Sequence, residues 1–132
     1  MISSKGIPTV LVVEDDRSLR DLVVDALRFA GFTVDSAANG ADAIESVERR
    51  LPSLILLDMR MPVMDGWTFS RELRRRGFGS SIVVMTAAQS ASTWADEAQA
   101  AAFLEKPFEL GELIATVESV LTEQGYEVPL QG

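Results

Sequence analysis

Leu54-Ile55-Leu56-Leu57 runs straight into a lone carboxylate, Asp58, and the chain then breaks at Pro62 and again at Asp65-Gly66. A short continuous apolar run bounded by turn residues reads as a strand buried on both faces, since a half-exposed strand would alternate. Such a strand needs a layer above and a layer below it. It also ends where water begins, so Asp58 is expected at its carboxyl tip, on the rim of the fold. In open parallel sheets that rim is where ligands bind. On this stretch alone, Asp58 is equally readable as a cap of the turn that follows.

The rest of the chain repeats the rhythm. Thr9–Val13 is a second buried run, ending in Glu14-Asp15-Asp16. Leu19, Leu22, Val23, Ala26 and Leu27 then recur at helical spacing, and Gly31 closes that helix. Phe32–Ser36 alternates as an edge strand would, and Asn39-Gly40 makes a turn. A helix over about 41–50 turns Ala43, Ile44 and Val47 inward, and Leu51-Pro52 breaks it. After the Leu54 run, a helix over about 67–76 buries Phe69 and Leu73, with Trp67 on its outward side. Ser81–Thr86 is a further buried strand. Ala87 to Ala102 is rich in Ala, Ser and Gln, with a short helix expected around Ser92–Ala98, where Trp94 and Ala98 suggest a packed face. Ala102-Phe103-Leu104 is the last strand. Leu110, Leu113, Ile114, Val117 and Leu121 form one face of a final helix ending near Glu123. Five strand–helix alternations predict a flavodoxin-like, doubly wound five-stranded parallel sheet of order 2-1-3-4-5, with helices on both faces. Residues 1–8 read as an N-terminal extension, 9–124 as the domain, and 125–132 as a tail or the start of a linker.

Composition narrows the chemistry. The 132 residues contain no cysteine and no histidine. Disulfides and thiolate metal sites are therefore excluded, and the commonest general base and transition-metal ligand are missing. Any metal must take oxygen ligands, which selects a hard cation. The net charge of −8 argues against nucleic acid as a direct partner. The one basic cluster, Arg71 with Arg74-Arg75-Arg76, falls on a helix and reads as a solvated face. No apolar run approaches a membrane span, and no secretory signal opens the chain.

The informative side chains fall at strand ends. Glu14 and Asp15 follow the first strand, Asp58 the third, Thr86 closes the fourth and Lys106 follows the fifth. In a parallel sheet these ends share one rim, so positions 14 to 106 converge. Three carboxylates placed together raise one another's pKa unless a cation neutralises them. Mg²⁺ is the economical choice, held by one or two carboxylates with waters and phosphate oxygens. Lys106 supplies a mobile positive charge and Thr86 a hydroxyl donor, both suited to a phosphoryl group. Such a rim suits phosphoryl chemistry on a carboxylate, run by charge placement rather than by acid–base exchange.

Four motifs in order carry a family resemblance: Val12-Val13-Glu14-Asp15-Asp16, Asp58-Met59-Arg60-Met61-Pro62-Val63-Met64-Asp65-Gly66, Met85-Thr86-Ala87 and Phe103-Leu104-Glu105-Lys106-Pro107-Phe108. The chain resembles the receiver domain of bacterial two-component response regulators from about Thr9 to Glu123. The resemblance implies that Asp58 is the phosphoacceptor, taking a phosphoryl group from the phosphohistidine of a histidine kinase or histidine phosphotransfer protein. It implies Mg²⁺ held by Asp15, Asp58 and the Arg60 backbone carbonyl, with Glu14 acting through water. Lys106 would contact the phosphoryl group, and the Lys106-Pro107 bond would be cis. Thr86 and Phe103 would form a switch pair acting on the face of the fourth helix, fifth strand and fifth helix. Pro62 and Gly66 would shape the loop without doing chemistry, and small Ala87 would leave room for the donor. Implied partners are a downstream target or an output domain outside this chain, with phosphorylation-dependent dimerisation. The implied location is cytoplasmic, and the implied activity is self-phosphorylation and self-dephosphorylation rather than turnover of a substrate.

The chain departs from the family pattern in places. Phe103 stands where the family often has Tyr, so its ring carries no hydroxyl. Gln99-Ala100-Ala101-Ala102 replaces the usual Gly-Ala step, and the segment from Thr86 to Lys106 is short, so the fourth helix is expected to be short or displaced. Asp16 is a third acid at a position the family does not fix. Arg60 and Ala88 occupy rim positions where side chains tune phosphoryl lifetime, and the Arg60 side chain is expected to reach the acidic pocket when no metal is bound. The competing reading is a receiver-like interaction module that works without phosphate; loss of any one of Glu14, Asp15, Asp58, Thr86 or Lys106 would have favoured it. A phosphatase with an aspartyl nucleophile is disfavoured, because such enzymes place an acid where this chain has Arg60. A flavin-binding protein is disfavoured as well, since no Ser/Thr/Gly-rich loop follows the first strand.

Overall fold

A computed structural model describes residues 6–87 and 90–129. Ten elements follow in strict alternation: β1 (Thr9–Val13), α1 (Arg17–Phe29), β2 (Thr33–Ala37), α2 (Gly40–Arg49), β3 (Leu54–Asp58), α3 (Gly66–Arg75), β4 (Ser81–Ala87), α4 (Ala91–Glu97), β5 (Ala102–Lys106) and α5 (Leu110–Glu123). The strands form one sheet of order β2-β1-β3-β4-β5, and every pairing is parallel. This is the flavodoxin-like arrangement expected from the alternation of apolar runs and amphipathic helices.

Side chains alternate across a strand, so each buried strand feeds two cores. Val10, Val12, Leu54, Leu56, Val83, Met85 and Leu104 meet Val23, Leu27, Leu113, Val117 and Leu121 of α1 and α5 on one face. Leu11, Val13, Ile55, Leu57, Ile82 and Val84 meet Ile44, Val47, Phe69, Leu73 and Ala95 of α2, α3 and α4, with the α4 C-cap Ala98, on the other. β3 is the only strand of the described sheet buried at every position, because it lies in the middle with helices over both faces. Asp58 is its last residue, and it too is buried.

One helix, α1, differs from its sequence reading, while α4 is short, as expected. In α1 the buried face runs through Val23, Val24 and Leu27, while Leu22 is half exposed. Spacing admits either Leu22 or Val24 beside Val23, and the packing of α1 over β1 and β2 selects Val24. Helix α4 has seven residues, no side-chain hydrogen bond at its N-cap Ser90, and only Ala91 and Ala95 fully buried. At its C-terminal end Gln99 sits at φ 54°, a conformation where glycine would be free of strain.

Beyond α5, residues 126–129 stay on the domain. Tyr126 and Val128 pack against the α1/α5 core. Pro129 lies over Gly31, where a Cβ on the glycine would stand 2.6 Å from the proline ring.

Candidate functional site

The site is built where β1, β3, β4 and β5 release their last residues. Glu14 follows β1 and is buried, and its amide donates to the Ala37 carbonyl at the end of β2. One Glu14 oxygen accepts from Lys106 Nζ at 2.7 Å and the other from the Asp16 amide at 3.1 Å. Asp15 is exposed beside it. Asp16, weighed above as a third acid at the rim, is instead the N-cap of α1: its side chain accepts from the Leu19 amide at 3.0 Å. That leaves Asp16 committed to orphan helix donors, a role its residue type favours. Arg20, one turn into α1, donates to the Glu14 carbonyl at 2.9 Å and pins the acidic turn from below. The sequence reading missed Arg20; its only signal was a basic residue four to six positions after the acidic run.

Asp58 meets this turn from β3. Its Oδ1 accepts from the Arg60 amide at 3.2 Å, and its Oδ2 stands 3.6 Å from Lys106 Nζ. The loop beyond is fixed by backbone contacts. The Gly66 amide donates to the Met59 carbonyl at 3.0 Å, and the Gly40 amide to the Met64 carbonyl at 3.2 Å. A Cβ on Gly66 would stand 2.7 Å from Met59 Cα and 3.0 Å from the Asp58 carbonyl, so only glycine lets α3 start this close to the acceptor strand. Asp65 caps α3 through the Thr68 amide at 2.8 Å. The sharpest bend is at Val63, where φ is 71° and the Met64 amide donates to the Pro62 carbonyl at 2.8 Å.

One ligand oxygen each from Glu14, Asp15 and Asp58 lies within 4.8 Å of the others. Burial first, then the Glu14 carboxylate, push the Asp58 carboxyl up to about 7, against the pull of Lys106 and the Arg60 amide. For Lys106, burial would depress the pKa, but the hydrogen bond to Glu14 and the charge of Asp58 outweigh it and raise it. An all-oxygen donor set with surplus negative charge fits a hard divalent cation in both chemistry and electrostatics. The peptide bond Lys106-Pro107 is cis, as the resemblance implied.

Thr86 is buried and lies one residue past Met85, which pairs with Asp58 across β3 and β4. Phe103 pairs with Val84 and Thr86 with Glu105, so Thr86 and Phe103 are diagonal neighbours on the same face of the sheet. The Phe103 ring points outward, with 41% of the residue exposed. Ala88 lies outside the described residues.

Arg60 corrects the expectation for its side chain. Its guanidinium lies over the Trp94 ring, 5.2 Å from the centroid, and not in the acidic pocket. Trp94 in turn makes an edge contact with Trp67, at 4.8 Å between centroids and 73° between planes. Trp67, expected on the outward side of α3, is therefore half buried, because α4 reaches over it. Helical spacing within α3 carries no information about that neighbour. Along α3 and its C-cap, Arg75 pairs with Glu72, Arg76 with Glu72 and Glu48, and Arg74 donates to the carbonyls of Phe78 and Ser80.

Comparison with known proteins bears on the whole domain. Residues 10–118 match the family described as response regulator receiver domain. The response regulator MprA of Mycobacterium leprae is 39% identical over 114 residues, covering 85% of this chain and 50% of that protein. MprA of Mycobacterium ulcerans is similar to the same degree, with 49% of its length covered. The chain thus spans about half the length of these curated relatives. Among solved structures, the chemotaxis protein CheY4 of Vibrio cholerae superposes with a TM-score of 0.80 at 29% identity, covering 88% of this chain and 100% of that one. The receiver domain of NtrX from Brucella abortus does so with a TM-score of 0.78 at 28% identity, covering 86% and 98%.

Proposed function

The chain belongs to the response regulator receiver domain family of two-component signalling, and on that premise we propose that Asp58 accepts a phosphoryl group from a phosphohistidine. The donor is a histidine kinase or a histidine phosphotransfer protein. An Asp58 carboxylate oxygen attacks phosphorus; the P–O bond forms as the P–N bond breaks, and the imidazole leaves. Asp15, Asp58 and the Arg60 backbone carbonyl are the residues that would hold Mg²⁺, with Glu14 acting through water. Bound there, the ion neutralises carboxylate and phosphoryl oxygens that would otherwise repel.

The residues of the chain do the rest. Lys106 is carried to the rim at the end of β5 and is already drawn to Asp58, so its ammonium is placed to follow charge onto the phosphoryl oxygens. Thr86 offers its hydroxyl from the end of β4, and its movement toward the phosphoryl group makes room for the Phe103 ring to turn inward. That change biases the α4/β5/α5 face toward a downstream target, an output domain outside this chain, or a second phosphorylated copy. The chain modifies itself and turns over no separate substrate. Family membership supports a cytoplasmic setting for this activity.

The observation that carries this reading is the convergence of three carboxylates from β1 and β3 with the Lys106 ammonium from β5 on one rim. Beryllofluoride, which mimics a phosphoryl group on a carboxylate, tests it. Calorimetry should detect Mg²⁺-dependent binding to the wild type and none to Asp58→Asn. Binding that persists in Asp58→Asn, or that needs no Mg²⁺, would contradict the assignment.

A further inference from the structure

Arg60 presents a problem of charge. Its amide is hydrogen-bonded to Asp58, and its carbonyl is one of the atoms the functional reading assigns to the metal. A long cationic side chain starting this close to three carboxylates is the natural competitor for a divalent ion. Among those carboxylates, Lys106 neutralises only part of the charge. The guanidinium nevertheless lies on Trp94, an α4 residue 34 positions further along the chain.

The perch is built. Trp94 is half buried, packed against the α2/α3/α4 core, and its ring orientation is fixed by the edge of Trp67. Its face is thereby turned to the β3–α3 loop. A cation over an indole face is stabilised by the ring quadrupole, and indole is the best of the aromatic faces. Arg60 itself is exposed, so no other enclosure holds it there. We propose that Trp94 is a positioning residue for the phosphoacceptor site: it stores the Arg60 guanidinium away from Glu14, Asp15 and Asp58 and so keeps them open to a divalent cation. This inference rests on the functional reading above.

One consequence is a link between the acceptor loop and α4 that is separate from the Thr86–Phe103 pair. Helix α4 is held by small side chains apart from Trp94. Whatever displaces α4 carries the perch with it, and the freed guanidinium then competes for the acidic pocket.

Mg²⁺ affinity of the intact chain, measured calorimetrically for a set of variants, tests the proposal. Trp94→Ala should weaken Mg²⁺ binding by about two- to fivefold, the range set by an exposed cation–π contact. Trp94→Phe, which keeps an aromatic face, should recover most of the loss. Arg60→Ala keeps the backbone carbonyl, and in the Trp94→Ala background it should restore affinity by removing the competitor. A merely structural role for Trp94 would leave the loss in place in that double variant, and that result would overturn the proposal. Wild-type affinity in Trp94→Ala would overturn it too. Wild type that takes up no Mg²⁺ would instead overturn the functional reading on which it rests, so the two failures are distinguishable.

Discussion

Lys106 Nζ stands 2.7 Å from Glu14 Oε1 and 3.6 Å from Asp58 Oδ2, one ammonium shared unequally between two buried carboxylates. The short contact is with the acid that does not receive the phosphoryl group in our reading. Lys106 is thus parked on Glu14, within reach of Asp58, before any phosphoryl oxygen is present.

Replacing Lys106 by Met should therefore split two properties. It removes the cation nearest the acidic cluster, so Mg²⁺ should bind more tightly. It also removes the group that follows the phosphoryl charge, so phosphorylation should slow. Metal-free stability should fall by about 1–2 kcal/mol, less than for a fully buried pair because Lys106 is partly exposed. Calorimetric Mg²⁺ titration, phosphorylation time courses and urea unfolding of the same variant read the three effects.

The raised pKa of Asp58 gives a pH dependence of defined sign. Its carboxyl titrates near 7 in the fold and near 3.8 when unperturbed. Between those values the folded chain holds a proton that the unfolded chain has released, so this group's contribution to stability declines as pH rises through the window. Asp58→Asn carries no such group. In metal-free buffer, the advantage of Asp58→Asn over wild type in urea unfolding should widen between about pH 5 and about pH 8. Saturating Mg²⁺ should narrow it. A gap that is flat with pH would show that Asp58 titrates normally.

Gly66 is demanded by space. With a Cβ placed 2.7 Å from Met59 Cα, Gly66→Ala must push α3 away from the end of β3. The variant should lose about 1–3 kcal/mol in denaturant unfolding, the usual range for overpacking. It should also bind Mg²⁺ more weakly, since the displaced loop carries the Arg60 carbonyl.

Two residues carry backbone strain that glycine would relieve. Val63 at φ 71° is β-branched and 83% exposed, and Gln99 at φ 54° ends α4. Left-handed backbone costs a side-chain-bearing residue about 1–2 kcal/mol. Val63→Gly and Gln99→Gly should each stabilise the domain by about 0.5–1 kcal/mol, after the entropy glycine loses on folding. Thermal unfolding of the two variants measures this directly.

The parts of this structure that were legible in the sequence are those set by local pattern. Leu54–Leu57 had to be a central strand because every position is apolar, and it is buried throughout. Asp58, Glu14, Thr86 and Lys106 could be placed on one rim because parallel strands put their carboxyl ends together. Leu22 against Val24 was not legible, because both satisfy helical spacing and only the angle of α1 on the sheet decides. Asp16 reads as an acid at the rim until the start of α1 is known, and then it is a cap. Arg60 and Trp67 were least legible of all. Their surroundings are made by Trp94, which reaches them through a helix whose seven residues carry little periodicity of their own.

The most direct test of the central claim is the intact mass of the chain after incubation with acetyl phosphate and Mg²⁺. The account predicts a single phosphoryl adduct on the wild type, lost when Mg²⁺ is chelated and absent from Asp58→Asn. An adduct of the same size on Asp58→Asn, or an unmodified wild type under every phosphodonor, would contradict it.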